Sequence, residues 1–98
     1  MRYARNVHFQ IKNGREKEFA NLFENEVVPT LRKQKGFKEE LTLVSGSHGV
    51  GISLWEDRAS AESYQNATFP RIVEKLSPVI DGSPRVETFD VASSTLRM

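Results

Sequence analysis

"VGISLWED", residues 50–57, is the stretch on which the fold turns. Val50, Ile52 and Leu54 alternate with Gly51, Ser53 and Trp55, the period of two that marks a strand with one apolar face. Read in that phase, Trp55, the single tryptophan, falls on the face opposite the strand's own core. A small protein that sets its largest apolar side chain there needs something else to cover it.

The flanking segments supply the partners of this strand. "FKEELTLVS" (37–45) places Phe37, Leu41 and Leu43 in one phase and Lys38, Glu40 and Thr42 in the other, and "SGSHG" (45–49) joins it to the first stretch as a hairpin loop. At the N-terminal end, "YARNVHFQIK" (3–12) alternates with Tyr3, Arg5, Val7, Phe9 and Ile11 on one side and Asn6, His8 and Gln10 on the other. Between these strands, Phe19, Leu22, Phe23, Val27 and Leu31 recur at spacings of three and four, an amphipathic helix from Arg15 to about Lys35. Glu16 and Glu18 near its start and Arg32, Lys33 and Lys35 near its end complement the helix dipole. Pro29 predicts a kink or break near Val28, and Gly36 ends the run.

After Trp55, Asp57 is a candidate N-cap for a second helix with Ala61, Tyr64 and Thr68 on one face. Pro70 interrupts it, and Ile72, Val73, Leu76 and Val79 continue as another helical piece. "DGSP" (81–84) reads as a turn and "RVETFDVAS" (85–93) as a last strand. The order is β-α-β-β-α-β, a ferredoxin-like α+β domain: a four-stranded antiparallel sheet with helices on one face. The uncovered face is expected to carry Asn6, His8, Gln10, Thr42, Val44, Ser53 and Trp55.

The 98 residues suit a single domain, one small enough for oligomerisation to supplement its core. Lys plus Arg number 14 and Asp plus Glu 13, a formal charge of +1 that gives no footprint for nucleic acid or an anionic membrane. Lys35-Gly36-Phe37 begins like an RNA-recognition signature, but Lys38-Glu39-Glu40 breaks it with charges where stacking rings belong. The absence of cysteine excludes disulfides, thiolate metal sites and a cysteine nucleophile. No run approaches the roughly 18 apolar residues of a membrane span, and "MRYARNVHFQ" (1–10) has no apolar secretory stretch, so a cytoplasmic protein is expected.

The strand order, Gly36-Phe37 after the first helix, "LWED" (54–57) before an Ala-containing second helix and the closing "VETFDV" (86–91) together resemble the antibiotic biosynthesis monooxygenase-like family, over about residues 3–92. The resemblance implies a dimeric α+β barrel in which two sheets meet face to face. It also implies a pocket in which Trp55 shelters as a wall for a flat apolar or aromatic ligand. Quinone-forming members of the family oxidise aromatic substrates with dioxygen and no cofactor. A sister group degrades haem with a first-strand asparagine, the strand tryptophan and a histidine of the second helix. Asn6 and Trp55 match two of these three, but residues 57–80 contain no histidine, so haem ligation of that kind is not expected.

Asn6 and Trp55 from the resemblance, with His8 as a general base, are the candidate catalytic residues, and Ser53, Tyr64 and Arg71 the candidate substrate contacts. His8 has the side chain suited to proton transfer near neutrality, whereas His48 in its polar loop reads as solvated. Two histidines without an HExxH spacing make no zinc site, and no metal is expected. The rival to an enzyme is a non-catalytic dimeric module that binds such a molecule, for example in a stress response.

Overall fold

The computed structural model describes residues 1–96. Strand β1 (Tyr3–Ile11) leads into helix α1 (Glu16–Leu22), which passes through a widened π-helical turn (Phe23–Val27) into α2 (Val28–Arg32). The hairpin β2 (Phe37–Ser45) and β3 (His48–Trp55) follows, then α3 (Arg58–Ala67), α4 (Phe69–Leu76), a 3-10 turn (Ser77–Val79) and β4 (Ile80–Asp90). The sheet order is β2-β3-β1-β4 with every neighbouring pair antiparallel, the ferredoxin-like arrangement. No helix among the described residues is long and apolar enough to cross a membrane.

Pro29 acts differently from the expected break. It has no N–H to donate, and the helix absorbs the loss upstream by widening over Phe23–Val27 instead of stopping. Thr30 Oγ1 donates to the Glu26 carbonyl at 2.8 Å, satisfying an acceptor in the disturbed turn. Phe19, Phe23, Val27 and Leu31 all remain buried, so the apolar stripe survives the change of pitch. Asp57 caps α3 as expected, its side chain accepting from the Ser60 N–H at 2.8 Å.

"DGSP" is not a turn between elements. It lies inside β4, where Gly82–Pro84 bulge opposite Phe9 and the register jumps from His8↔Arg85 to Gln10↔Asp81. Gly82 takes φ +68°, and Pro84 has no N–H to offer a ladder, so both suit a bulge on an edge strand.

The larger correction concerns the phase of the hairpin. The face covered by helices carries Gly49, Gly51, Ser53 and Trp55, all buried, while Val50, Ile52 and Leu54 lie on the open face. Registration fixes this, since Val7 pairs with Gly51 and Arg5 with Ser53, whereas Asn6 pairs with Ile52 and His8 with Val50. In β2 a register shift between Phe37 and Glu39 puts Glu40, Thr42 and Val44 on the covered side and turns Leu41 and Leu43 outward. Thr42, Val44, Ser53 and Trp55 therefore leave the face expected for them. The reason is steric: a Cβ on Gly49 would stand 3.0 Å from the Phe19 ring, and one on Gly51 3.1 Å from Phe23. The helix delivers the bulk, and the strand beneath gives way with glycine.

Candidate functional site

The covered layer holds a polar group in an aromatic setting. Arg5 stands in the apolar phase of β1, between Tyr3 and Val7, and is only 2% exposed. Its guanidinium lies 4.5 Å from the ring centre of Phe69 and 5.0 Å from that of Tyr64, contacts that partly replace lost hydration. Nη2 donates to Gln65 Oε1 on α3, but Nε has no hydrogen-bond partner. Among the described residues, no carboxylate forms an ion pair with it. Burial lowers its pKa, opposed by Tyr64 and Glu40.

Glu40 joins this group through the register shift in β2. Its Oε2 accepts from Thr42 Oγ1 at 3.0 Å, and the missing Cβ of Gly51 leaves room for the carboxyl: a Cβ there would come within 3.2 Å of Oε2. Burial pushes the carboxyl up to about 8, against the smaller pull of Thr42 and Arg5, so it is mostly protonated at neutral pH. Burial likewise raises the Tyr64 hydroxyl to about 12, while the Arg5 charge draws it down.

Trp55 forms the layer behind. It is fully buried, donates from Nε1 to Ser53 Oγ at 2.9 Å, and packs against Tyr64 and Phe37 with ring centres 5.1 and 5.6 Å away. Each such ring pair adds about 0.5–1.5 kcal/mol beyond simple burial and fixes the tilt of Tyr64. Arg5, Ser53, Glu40 and Tyr64 border a narrow, partly open cavity of about 20 Å³, lined also by Phe23 and Phe69, with room for about one water. On the other side of Arg5, between β1, β4 and α3, runs an open groove of about 220 Å³. Arg5 borders both spaces.

Of the residues singled out in the sequence, Trp55, Ser53 and Tyr64 come together here. Asn6 and His8 do not: both project from the opposite face of the sheet. There His8 Nε2 meets Glu87 Oε1 at 2.9 Å, and Nδ1 meets His48 Nε2 at 3.2 Å with the two rings stacked, so His48 is paired where its loop suggested simple solvation. Arg71 is exposed on α4, away from the cavity lining. Two members of the cluster, Arg5 and Glu40, were not singled out. Arg5 had a signal, being the one charge in an otherwise apolar phase of β1. Glu40 had none, because a register shift cannot be read from alternation. Among the described residues, no three His, Cys, Asp or Glu side chains are grouped as metal ligands would be.

The architecture and this layer can now be set beside known proteins. A protein of unknown function from Nitrosomonas europaea, NE2512, is similar in structure with a TM-score of 0.83 at 18% identity, over 99% of this chain and 95% of that one. The ActVA-Orf6 monooxygenase of Streptomyces coelicolor, solved with the ligand nanaomycin D, gives 0.80 at 19% identity over 98% and 92%. SnoaB, a cofactor-independent oxygenase of Streptomyces nogalater, gives 0.79 at 15% identity over 98% of both chains. These likenesses establish a shared fold. No curated protein sequence matches the chain. The profile of the antibiotic biosynthesis monooxygenase family matches residues 2–71, most of the sequence, and the chain belongs to that family.

Proposed function

We propose that the protein is a homodimeric small-molecule oxygenase that oxidises an aromatic or quinol-type compound with dioxygen and without a cofactor. The observation that carries this is the buried cluster of Arg5, Glu40, Ser53 and Tyr64, walled by aromatic rings, between sheet and helices. Two similar structures are described as a monooxygenase and a cofactor-independent oxygenase, which supports the reaction class.

In this reading the substrate supplies the electrons. A phenolic ring loses its proton, oxygen attacks the electron-rich ring carbon, and the single hydrogen on that carbon together with the phenolic hydrogen is lost as the carbon becomes a carbonyl. One atom of dioxygen enters the product and the other leaves as water with those hydrogens. Arg5 stabilises the phenolate in a dry site, where a fixed charge is worth more than in water. The ionised fraction of Glu40, small at pH 7 and growing as pH approaches about 8, takes the phenolic proton. Trp55 positions Tyr64 and Ser53, and Asn6 and His8 have no part in the pocket.

The dimer forms through the open sheet face. Leu41 is 57% exposed, Leu43 46% and Phe89 49%, and they share that face with Val50, Ile52 and Leu54. Such a contiguous apolar surface marks an interface.

A specific observation favours the rival binding module: the cavity of about 20 Å³ holds no aromatic ring unless side chains move. Oxygen uptake with an anthrone or a dihydroxynaphthalene decides between them. Uptake that matches substrate one to one, yields the quinone and is lost in Glu40→Gln supports the oxygenase. Binding without uptake supports the module.

A further inference from the structure

Building on the pocket reading above, we infer that the ligand is an anion: a planar aromatic acid lying in the groove beside α3 with its charged oxygens on Arg5, where Gln65 now sits. The groove has the shape for it. Ala61 and Val86 give apolar walls, Tyr3 an aromatic one, and Arg58 pairs with Glu62 at 3.4 Å along α3, leaving Arg5 as the groove's unpaired cation among the described residues.

The charge balance points the same way. A guanidinium keeps its proton in a protein, so Arg5 brings a full positive charge into a site where it is 2% exposed. A buried charge without a counter-ion costs several kcal/mol. What it has instead is neutral: two ring faces, the Tyr64 hydroxyl, the amide oxygen of Gln65 and one Nε–H with no acceptor. Glu40, which interacts electrostatically with Arg5 and lines the same cavity, is mostly protonated at neutral pH. A carboxylate or phenolate arriving through the groove supplies both the missing charge and the missing acceptor, as a forked pair with the guanidinium. The groove's volume of about 220 Å³ suits one or two rings.

Ligand charge and Glu40 charge then compete. The groups around Glu40 are Arg5 on β1, Tyr64 on α3, Arg32 on α2, and Lys38 and Glu39 on its own strand. Above about pH 8 the ionised Glu40 supplies Arg5 with an internal partner, and the external anion loses its advantage.

Calorimetric titration of the full chain with 2-naphthoate and with its uncharged methyl ester tests this. At pH 7 the acid is expected to bind at least about tenfold more tightly than the ester, the scale of a charge-assisted hydrogen bond. Its affinity should fall between pH 7 and 9, and Glu40→Gln should remove that fall. Arg5→Met should abolish the preference for the acid while keeping ester binding. Should that variant not fold, Gln65→Glu serves instead, since it places a resident carboxylate on Arg5. It should raise the melting temperature and weaken naphthoate at least about tenfold. Equal affinity for acid and ester, or unchanged naphthoate binding in Gln65→Glu, overturns the inference. Either result would also remove Arg5 as the phenolate's partner, whereas the oxygenase reading as a whole is decided separately by oxygen uptake.

Discussion

The two faces of the sheet depart from a simple apolar-in pattern on β2 and β3 but not on β1, where Val7, Phe9 and Ile11 face the helices and Asn6, His8 and Gln10 face outward. The covered face holds Arg5, Glu40, Thr42, two glycines and Ser53. The open face holds Leu41, Leu43, Val50, Ile52, Leu54 and Phe89. Apolar alternation in a strand reports which face is dry in the finished assembly, whichever surface dries it. The covered face is kept dry by helices although it carries polar groups; in the proposed dimer the open face is kept dry by the second copy.

The strongest way to break that comparison is a charge on the open face. Ile52→Asp would place two like charges near each other in a face-to-face dimer, and the dissociation constant should rise by about a thousandfold, from buried unpaired carboxylates. Sedimentation velocity at micromolar concentration should show the wild type as a dimer and the variant as a monomer. A monomeric wild type would undo the account of the open face.

Bulk on the covered face comes next. Gly51→Val should cost about 1–3 kcal/mol, because its side chain would meet the Phe23 ring and the Glu40 carboxyl. Thermal denaturation should show a drop of roughly 4–8 °C per kcal/mol. Val50→Gly, its neighbour on the open face, should instead weaken the dimer.

Glu40 sharpens the contrast through pH. Its pKa is raised in the folded state, from an ordinary value of 4.5 to about 8, so between these values the native protein holds a proton that the unfolded chain releases. Stability therefore falls as pH rises through that window, and Glu40→Gln should flatten the decline in melting temperature between pH 5 and 9. The smallest effect belongs to His8→Ala. Lying on the opposite face from the cavity, it should leave oxygen uptake and naphthoate affinity within about twofold, any effect falling on the dimer instead.

Element order, helix stripes and the Asp57 cap were legible in the letters because each rests on local chemistry. The phase of the hairpin was not. Val50, Ile52 and Leu54 carry the stronger hydrophobic signal, and the reason they face outward lies in Phe19 and Phe23, which fill the space above Gly49 and Gly51 from a distant part of the chain. Trp55 was rightly judged to be sheltered, yet its shelter is the subunit's own core. Asn6 and His8 followed from a resemblance and a shared phase, and that phase proved to be the one facing away from the cavity. Arg5 was visible as a charge among apolar neighbours, whereas Glu40 depended on a register shift that alternation conceals.

The kinked rim of β4 has a consequence for how copies of this protein meet. A regular outer strand invites another to add alongside it, and that addition repeats without limit. Gly82 and Pro84 spoil one border for such stacking, and the charges of Lys38 and Glu39 guard the other. Growth by strand addition is discouraged at both borders, and the proposed dimer, if closed through the open face, would be a pair with nowhere further to extend.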